Sequence, residues 1–199
     1  MHNGMLYLVA GWSGCFVMAI ELLGGRLLAP FFGSSIYVWG AIITVFMLAL
    51  SIGYLLGGRW SLRQPSLTRL AVILLVAALT ALPVVLGADA LLDWLSVRVT
   101  DPRLGSLLGS LLLFLVPTVV AGMVSPYAVR LLVEDRQRSG ERAGRLYFVS
   151  TFGSALGTLL TSFYLVLHFE VNQILWAMLG TSAVIAALAL ASDRRAVPA

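Results

Sequence analysis

Six long apolar runs, separated by short gaps, account for almost the whole chain. A helix that crosses the hydrocarbon core of a bilayer needs roughly 20 mainly apolar residues, and each run is close to that length. We predict spans at about 5–29, 37–56, 70–88, 104–133, 146–169 and 174–191. Helices satisfy their own backbone hydrogen bonds in lipid, so runs of this length indicate helices. The predicted fold class is therefore an all-α integral membrane protein, with residues 1–199 forming a single transmembrane domain.

The charge content excludes several classes of protein. Only 11% of the residues are charged, whereas a soluble domain usually carries about 25%. The basic residues are all arginines and lie mainly in the gaps, with no basic face interleaved with aromatic residues, so nucleic-acid binding is not expected. The single cysteine, Cys15, cannot form an intrachain disulfide. The first run is longer than the apolar region of a signal peptide, and we expect it to be retained as a helix.

Arginines are concentrated in every second gap between the runs. They occur after runs two, four and six, as Arg59, Arg63, Arg69, Arg136, Arg138, Arg142, Arg145, Arg194 and Arg195. The gap after run one has no charge, and the gap after run five has only Glu170. By the positive-inside rule, this pattern predicts that both termini are cytoplasmic. The third gap has charges of both signs, and we predict a short interfacial helix there, over about 90–97.

Six spans also divide into two groups of three, which predicts a 3+3 inverted repeat. Transporters are often built this way, with broken helices at matching positions in the two halves. Spans one and four match in carrying helix-breaking residues, which are Gly24, Gly25 and Pro30 in one, and Pro117, Gly122 and Pro126 in the other. The similarity is weak, and chance explains it as well as a true repeat does.

Glu21 is the residue that points most directly to function. It lies well inside span one, where a carboxylate is costly unless it is paired, protonated or hydrated. We interpret it as a cation or proton site that faces a cavity, with a structural ion pair to an arginine as the alternative. Arg26 follows five residues later. Either the helix unwinds at Gly24 and Gly25 and brings Arg26 towards Glu21, or Arg26 extends to the outer headgroups.

The remaining motifs are structural or leave two interpretations open. Tyr37 and Tyr147 either line a cavity or anchor at the interface, while Trp39, Trp60 and Trp94 fit an aromatic belt. Glycines four residues apart let helices approach closely, which favours packing within one bundle over a dimer interface. These pairs are Gly53 and Gly57, Gly105 and Gly109, and Gly153 and Gly157. One cysteine and two distant histidines make no metal site, and no cofactor motif or catalytic constellation is present.

Three motifs resemble the membrane module of bacterial spermidine-synthase-like proteins. They occupy residues 21–40, 53–59 and 143–157, and their order and spacing also match, so the resemblance covers nearly the whole chain. It places the following residues in recurrent family motifs: Glu21, Arg26, Pro30, Tyr37, Gly40, Tyr147, Ser150 and Gly153. In that family the module is often fused to a soluble aminopropyltransferase-like domain. Nothing in this sequence resembles that domain, so we expect no enzymatic activity from this chain.

These observations lead to two functional hypotheses. The first is a small transporter or substrate-channelling module in the bacterial inner membrane, with a homodimer as the candidate assembly. Glu21, Arg26, Tyr37, Tyr147 and Ser150 are the candidate substrate-binding or proton-binding residues. A cationic substrate such as a polyamine is implied mainly by the resemblance. The second hypothesis is a membrane anchor for a separately encoded aminopropyltransferase-like enzyme, which would dock on the arginine-rich loop at 134–145.

Overall fold

The computed structural model describes residues 2–133 and 138–194, and this part of the chain is helical with no β-strand. Span one is helix α1 (His2–Phe32) and span two is α2 (Ile36–Trp60). Spans three and four each contain two helices, which are α3 (Leu67–Thr80) and α4 (Leu82–Arg98), then α5 (Pro102–Gly122) and α6 (Val124–Leu132). Span five comprises α7 (Ser139–Leu160), a π-helical segment (Thr161–Leu165) and α8 (Val166–His168), and span six is α9 (Val171–Arg194).

The predicted fold class is confirmed. Six helical stretches of the described chain are long and apolar enough to cross a membrane. They are Asn3–Phe32, Ile36–Trp60, Leu67–Arg98, Pro102–Leu132, Ser139–His168 and Val171–Asp193. Each stretch begins before the apolar run that predicts it, and all but the fourth and fifth also end after it. Arg136 and Arg195, which the topology prediction uses, lie outside the described residues.

Span four is interrupted, as predicted, and the interruption lies at Met123 between α5 and α6. Pro126 has no N–H to donate to the carbonyl of Gly122, four residues earlier, so the regular hydrogen-bond ladder ends there. Pro117 does not interrupt the span, since it lies inside α5. A second interruption, which the sequence analysis did not predict, lies at Ala81 in span three. Here too a proline follows the interruption. Pro83 lies in the first turn of α4 and has no N–H to donate to a carbonyl of the preceding turn.

The predicted interruption of span one is wrong. Helix α1 is continuous through Gly24 and Gly25 and contains Pro30, ending only at Phe32. The two glycines instead make room for aromatic rings of neighbouring helices. A Cβ atom on Gly24 would lie 3.0 Å from the Phe114 ring, and one on Gly25 would lie 2.6 Å from the Trp39 ring. These glycines therefore serve close packing, while the backbone of α1 stays helical.

The predicted separate helix in the third gap is also absent from the described chain. Residues 90–97 form the second half of α4, which runs without a break to Arg98. Their apolar side chains are partly explained by packing, because Leu92 and Leu95 are buried in the bundle core. The gap between spans three and four is therefore only the few residues before Pro102.

The helices pack as two tight pairs and a third, less extensive pair. The most extensive contacts join α1 to α7 and α2 to α5, followed by those between α3 and α9. Two apolar clusters fill the bundle, one around Phe16, Phe46 and Phe114 and the other around Leu6, Leu74 and Tyr127. The pair of α1 and α7 lies beside the pair of α2 and α5. Polar residues on the facing sides of the two pairs therefore meet between them.

The even-numbered gaps lie at one end of the molecule. Ser61 of the second gap and Ser139 after the fourth gap line the same cleft. Thr68, near the start of α3, donates to Asp193 near the end of α9. At the other end, Arg103 after the third gap contacts Tyr37 after the first. The arginine-rich gaps therefore share one face of the bundle, which is the arrangement that the positive-inside rule requires.

Candidate functional site

A small polar cavity lies where spans one, two, four and five meet. Its volume is about 80 Å³. Four helices contribute polar side chains to its wall, namely Ser13 of α1, Tyr54 of α2, Ser125 of α6, and Ser150 and Ser154 of α7. The cavity sits beside the interruption of span four, since Ala121 and Gly122 also line it. It is a polar site between mainly apolar helices, and it reaches the surface of the bundle, where the side chain of Tyr54 is exposed.

The serine hydroxyl groups of this cavity connect the spans to one another. The Ser13 hydroxyl donates to the Ala121 carbonyl at 3.2 Å, in the last turn of α5, where helix carbonyls lose their regular partners. The Oγ atoms of Ser125 and Ser150 lie 3.4 Å apart, which joins α6 to α7. Ser154 donates to the Ser150 carbonyl at 3.1 Å within its own helix. These groups could exchange their partners for water or a small polar solute.

Glu21 lies on the cavity-facing side of α1. Gly14, Val17 and Met18 of this helix line the cavity. Glu21 follows Val17 by four residues and Met18 by three, so it lies on the same helix face about one turn farther along. Its side chain is partly buried and has no hydrogen bond or ion pair to any residue in 2–133 or 138–194. The carboxyl group is thus neither in open solvent nor held by an arginine of the described chain.

Arg26 and Tyr37 do not join this site. Because α1 is unbroken, a separation of five residues turns Arg26 away from Glu21 by about 140°, and its side chain is exposed. Tyr37 is exposed at the opposite end from the arginine-rich gaps, where its hydroxyl accepts from Arg103 at 3.4 Å. The Arg103 guanidinium also stacks on the Tyr37 ring, 4.3 Å from its centroid. Tyr37 has the geometry of an interface anchor.

Of the other predicted site residues, Ser150 lines the cavity, and Tyr147 lies about one turn before it with an exposed side chain. Sequence reasoning did not select Ser13, Tyr54 or Ser125. Tyr54 directly follows Gly53, and Ser154 directly follows Gly153, so polar residues beside the glycine pairs were the available signal. That signal alone does not reveal which of these residues face one another.

A wider cleft opens at the arginine-rich end, directly beyond the cavity. It has a volume of about 470 Å³ and is lined by residues of spans two, four and five, including Ser61, Pro126, Arg130 and Gly140. Pro126 is the chain neighbour of Ser125, which lines the cavity, so α6 contributes adjacent residues to the two spaces. Arg130 is exposed at the mouth of this cleft.

The arginine-rich loop proposed as a docking surface is only partly described, because residues 134–137 lie outside the described ranges. Arg142 donates to the Leu132 carbonyl at 2.6 Å, and Arg145 pairs with Glu141 at 2.7 Å. Two of its arginines are therefore engaged within the chain. Among the described residues, no group of three or more His, Cys, Asp or Glu side chains could hold a metal ion.

No family model, curated protein or solved structure matches the chain. The fold and site define the class by themselves: an all-α protein with six helices long and apolar enough to span a membrane, and a small polar cavity between four of these spans.

Proposed function

We propose that this chain is a small transporter or channelling module for cations, in which Glu21 binds the cation or carries a proton. The observation that carries the proposal is the unpaired carboxyl group of Glu21, partly buried on the cavity-facing side of α1. A bacterial inner membrane and cytoplasmic termini are part of the proposal, and they derive from the family resemblance and the arginine distribution.

The energetics favour a functional over a structural carboxylate. A charged group inside the bilayer is costly unless a partner, a proton or water compensates it. The structural explanation of Glu21 was an ion pair with an arginine, and no arginine of the described chain pairs with it. The remaining partners are a proton, water or a bound cation, and ionisable residues that depend on such partners within a membrane commonly mark proton or ion pathways.

The cavity size limits what passes in the observed arrangement. A volume of about 80 Å³ accommodates about three water molecules, at roughly 30 Å³ each. A proton, or a small cation that has lost most of its hydration shell, fits such a space. A polyamine, which the family resemblance suggests, requires the surrounding spans to separate.

The glycine contacts indicate where separation would occur. Spans one and five touch backbone to backbone at Gly153, and spans two and four do so at Gly57. The cavity lies between these two pairs, so we propose that each pair moves as a unit. In an inverted 3+3 repeat, span one corresponds to span four and span two to span five. The pair of spans one and five then corresponds to the pair of spans four and two, which is the observed pairing.

The test is uptake by purified protein in liposomes, with labelled putrescine, labelled spermidine and a pH-sensitive dye as probes. We expect Glu21→Gln to lower uptake at least tenfold, because a neutral amide cannot bind a cation or release a proton. Glu170→Gln is the matched control, since Glu170 is an exposed carboxylate in a gap between spans. It should leave uptake unchanged.

Two outcomes would contradict the proposal. Wild-type protein that moves neither polyamines nor protons, in either direction, would exclude the carrier function for these cations. Full uptake by folded Glu21→Gln protein would remove Glu21 from the pathway while leaving the transporter class intact. Thermal unfolding of both variants establishes that the comparison is made between folded proteins.

A further inference from the structure

A third space, separate from the cavity and from the wider cleft, is a surface pocket at the arginine-rich end. Its volume is about 360 Å³, and Trp60, Arg63, Arg69, Val72 and Tyr127 line it. The volume is within the range of about 300–1,000 Å³ that is usual for small-molecule sites. The pocket lies where α2 ends and α3 begins, and it shares no lining residue with the cavity beside Glu21.

The loop that forms one side of this pocket is fixed by hydrogen bonds. The Arg69 guanidinium donates to the carbonyls of Arg63 and Gln64, the second at 3.0 Å. The backbone N–H of Ser66 donates to the Tyr127 hydroxyl at 3.3 Å, and the Ser66 hydroxyl accepts from the Arg69 backbone N–H at 3.2 Å. A ligand would therefore meet a preformed wall and would not have to order the loop, which favours binding.

The pocket is positively charged, and part of that charge is uncompensated. Arg63 is exposed and has no hydrogen bond or ion pair from its side chain to any residue in the described ranges. Arg69 uses only Nη1 in its contacts with the loop. The nearby carboxylate of Asp193 is directed to Thr68, accepting from its backbone N–H at 3.1 Å and from its hydroxyl. Asp193 thus caps the start of α3, and the guanidinium groups remain as the donors for an anion.

An apolar track continues from the pocket along α3. Val72, Val76 and Leu79 have exposed fractions of 44%, 38% and 53%. Their spacing of four and three residues places them on one face of the helix, in line with Arg69. A free phosphate would use the guanidinium groups alone, whereas a lipid would use the track as well.

We propose that this pocket binds the headgroup of an anionic phospholipid. The phosphate would accept from Arg63 and from the free N–H groups of Arg69, since guanidinium matches phosphate oxygens in a bidentate geometry. The acyl chains would follow Val72, Val76 and Leu79 into the hydrocarbon. Basic pockets at helix ends are known to suit such headgroups. The proposal is independent of transport.

The experiment uses full-length protein in nanodiscs of phosphatidylcholine with a minor fraction of brominated lipid, which quenches tryptophan fluorescence on contact. The difference between the wild type and Trp60→Phe isolates the signal of Trp60, which lines the pocket. We expect brominated phosphatidylglycerol to quench Trp60 more than brominated phosphatidylcholine does. Arg63→Gln should reduce this preference about fivefold, the effect of losing one arginine contact near the membrane surface.

Arg138→Gln is the matched control, because Arg138 is an exposed arginine outside the pocket. It should retain the full preference, and replacing chloride by inorganic phosphate at equal ionic strength should not abolish it. Equal quenching by the two brominated lipids in the wild type would overturn the proposal. So would an unchanged preference in Arg63→Gln, or complete competition by inorganic phosphate, which would indicate a site for soluble anions.

Discussion

Trp12 shows how a single polar atom is satisfied inside the bundle. Its indole Nε1 donates to the Ser182 hydroxyl at 2.8 Å, which links α1 to α9. Ser182 is fully buried and donates in turn to the Met178 carbonyl of its own helix at 2.8 Å. Without Ser182, the indole N–H would face hydrocarbon with no acceptor, and such groups are expensive in a membrane.

We expect Ser182→Ala to lower the free energy of unfolding by about 0.6–1.7 kcal/mol, the range measured for interhelical hydrogen bonds in membranes. Ser51→Ala is the control, because Ser51 also donates to the carbonyl four residues earlier but is exposed. It should have almost no effect. Reversible unfolding in mixed micelles measures both, and equal effects would show that the Trp12 contact contributes nothing.

The residues of the candidate site could be predicted from the sequence only in part, because some of them are brought together by helix packing. The depth of Glu21 in its span follows directly from the sequence, because the surrounding apolar residues fix where the helix enters the membrane. The absence of an arginine partner does not follow, since it depends on how six helices are rotated about their axes. Ser13 and Ser125 were missed because their meeting across α1 and α6 is a property of packing.

At the level of helices, two glycine pairs set the spacing of the bundle. As predicted, the pair in α2 and the pair in α7 pack within the bundle, each against the backbone of a neighbouring helix. A Cβ on Gly153 would lie 2.9 Å from the Gly11 Cα, and one on Gly57 would lie 2.7 Å from the Met123 Cα. Gly105 and Gly109 are different, because they accommodate the side chains of Phe32 and Leu92.

We expect Gly153→Ala to destabilise the protein by about 1–3 kcal/mol, the usual effect of forcing extra atoms into a packed interface. The backbones of α1 and α7 would have to move apart, since neither can yield locally. Gly58→Ala is the matched control, because a Cβ there would meet nothing within 4 Å. Alanine at Gly58 should be neutral or slightly stabilising, since it favours helix. Similar unfolding midpoints for the two variants would contradict the assigned role of Gly153.

At the scale of the whole molecule, folding places the charged residues of alternate gaps at opposite ends of the bundle. Arg63 in the second gap and Arg138 after the fourth lie at one end, and Arg103 lies at the other with Tyr37. The mixed charges of the third gap belong to this second end. Orientation in the membrane then follows from the positive-inside rule, which predicts that the first end faces the cytoplasm.

Single-cysteine labelling in intact cells tests this orientation, in a background with Cys15→Ala. We expect Ser34→Cys, in the gap between α1 and α2, to react with an impermeant maleimide added outside. Leu62→Cys, which is exposed in the next gap, should react only after the cells are permeabilised. The reverse pattern would show that the bundle is inverted, and labelling of neither would indicate that these gaps are shielded.

The amino-acid sequence alone predicts the six spans, their order and the distribution of charge between their ends. These are local properties, because each span must satisfy its own backbone in lipid whatever its neighbours are. Helix packing, which no local pattern specifies, keeps α1 helical at Gly24 and Gly25, where the rings of Phe114 and Trp39 fill the space. It likewise decided which serines form the cavity and that Glu21 lacks an arginine partner among the described residues. Both outcomes depend on helix rotation and close contact between distant parts of the chain.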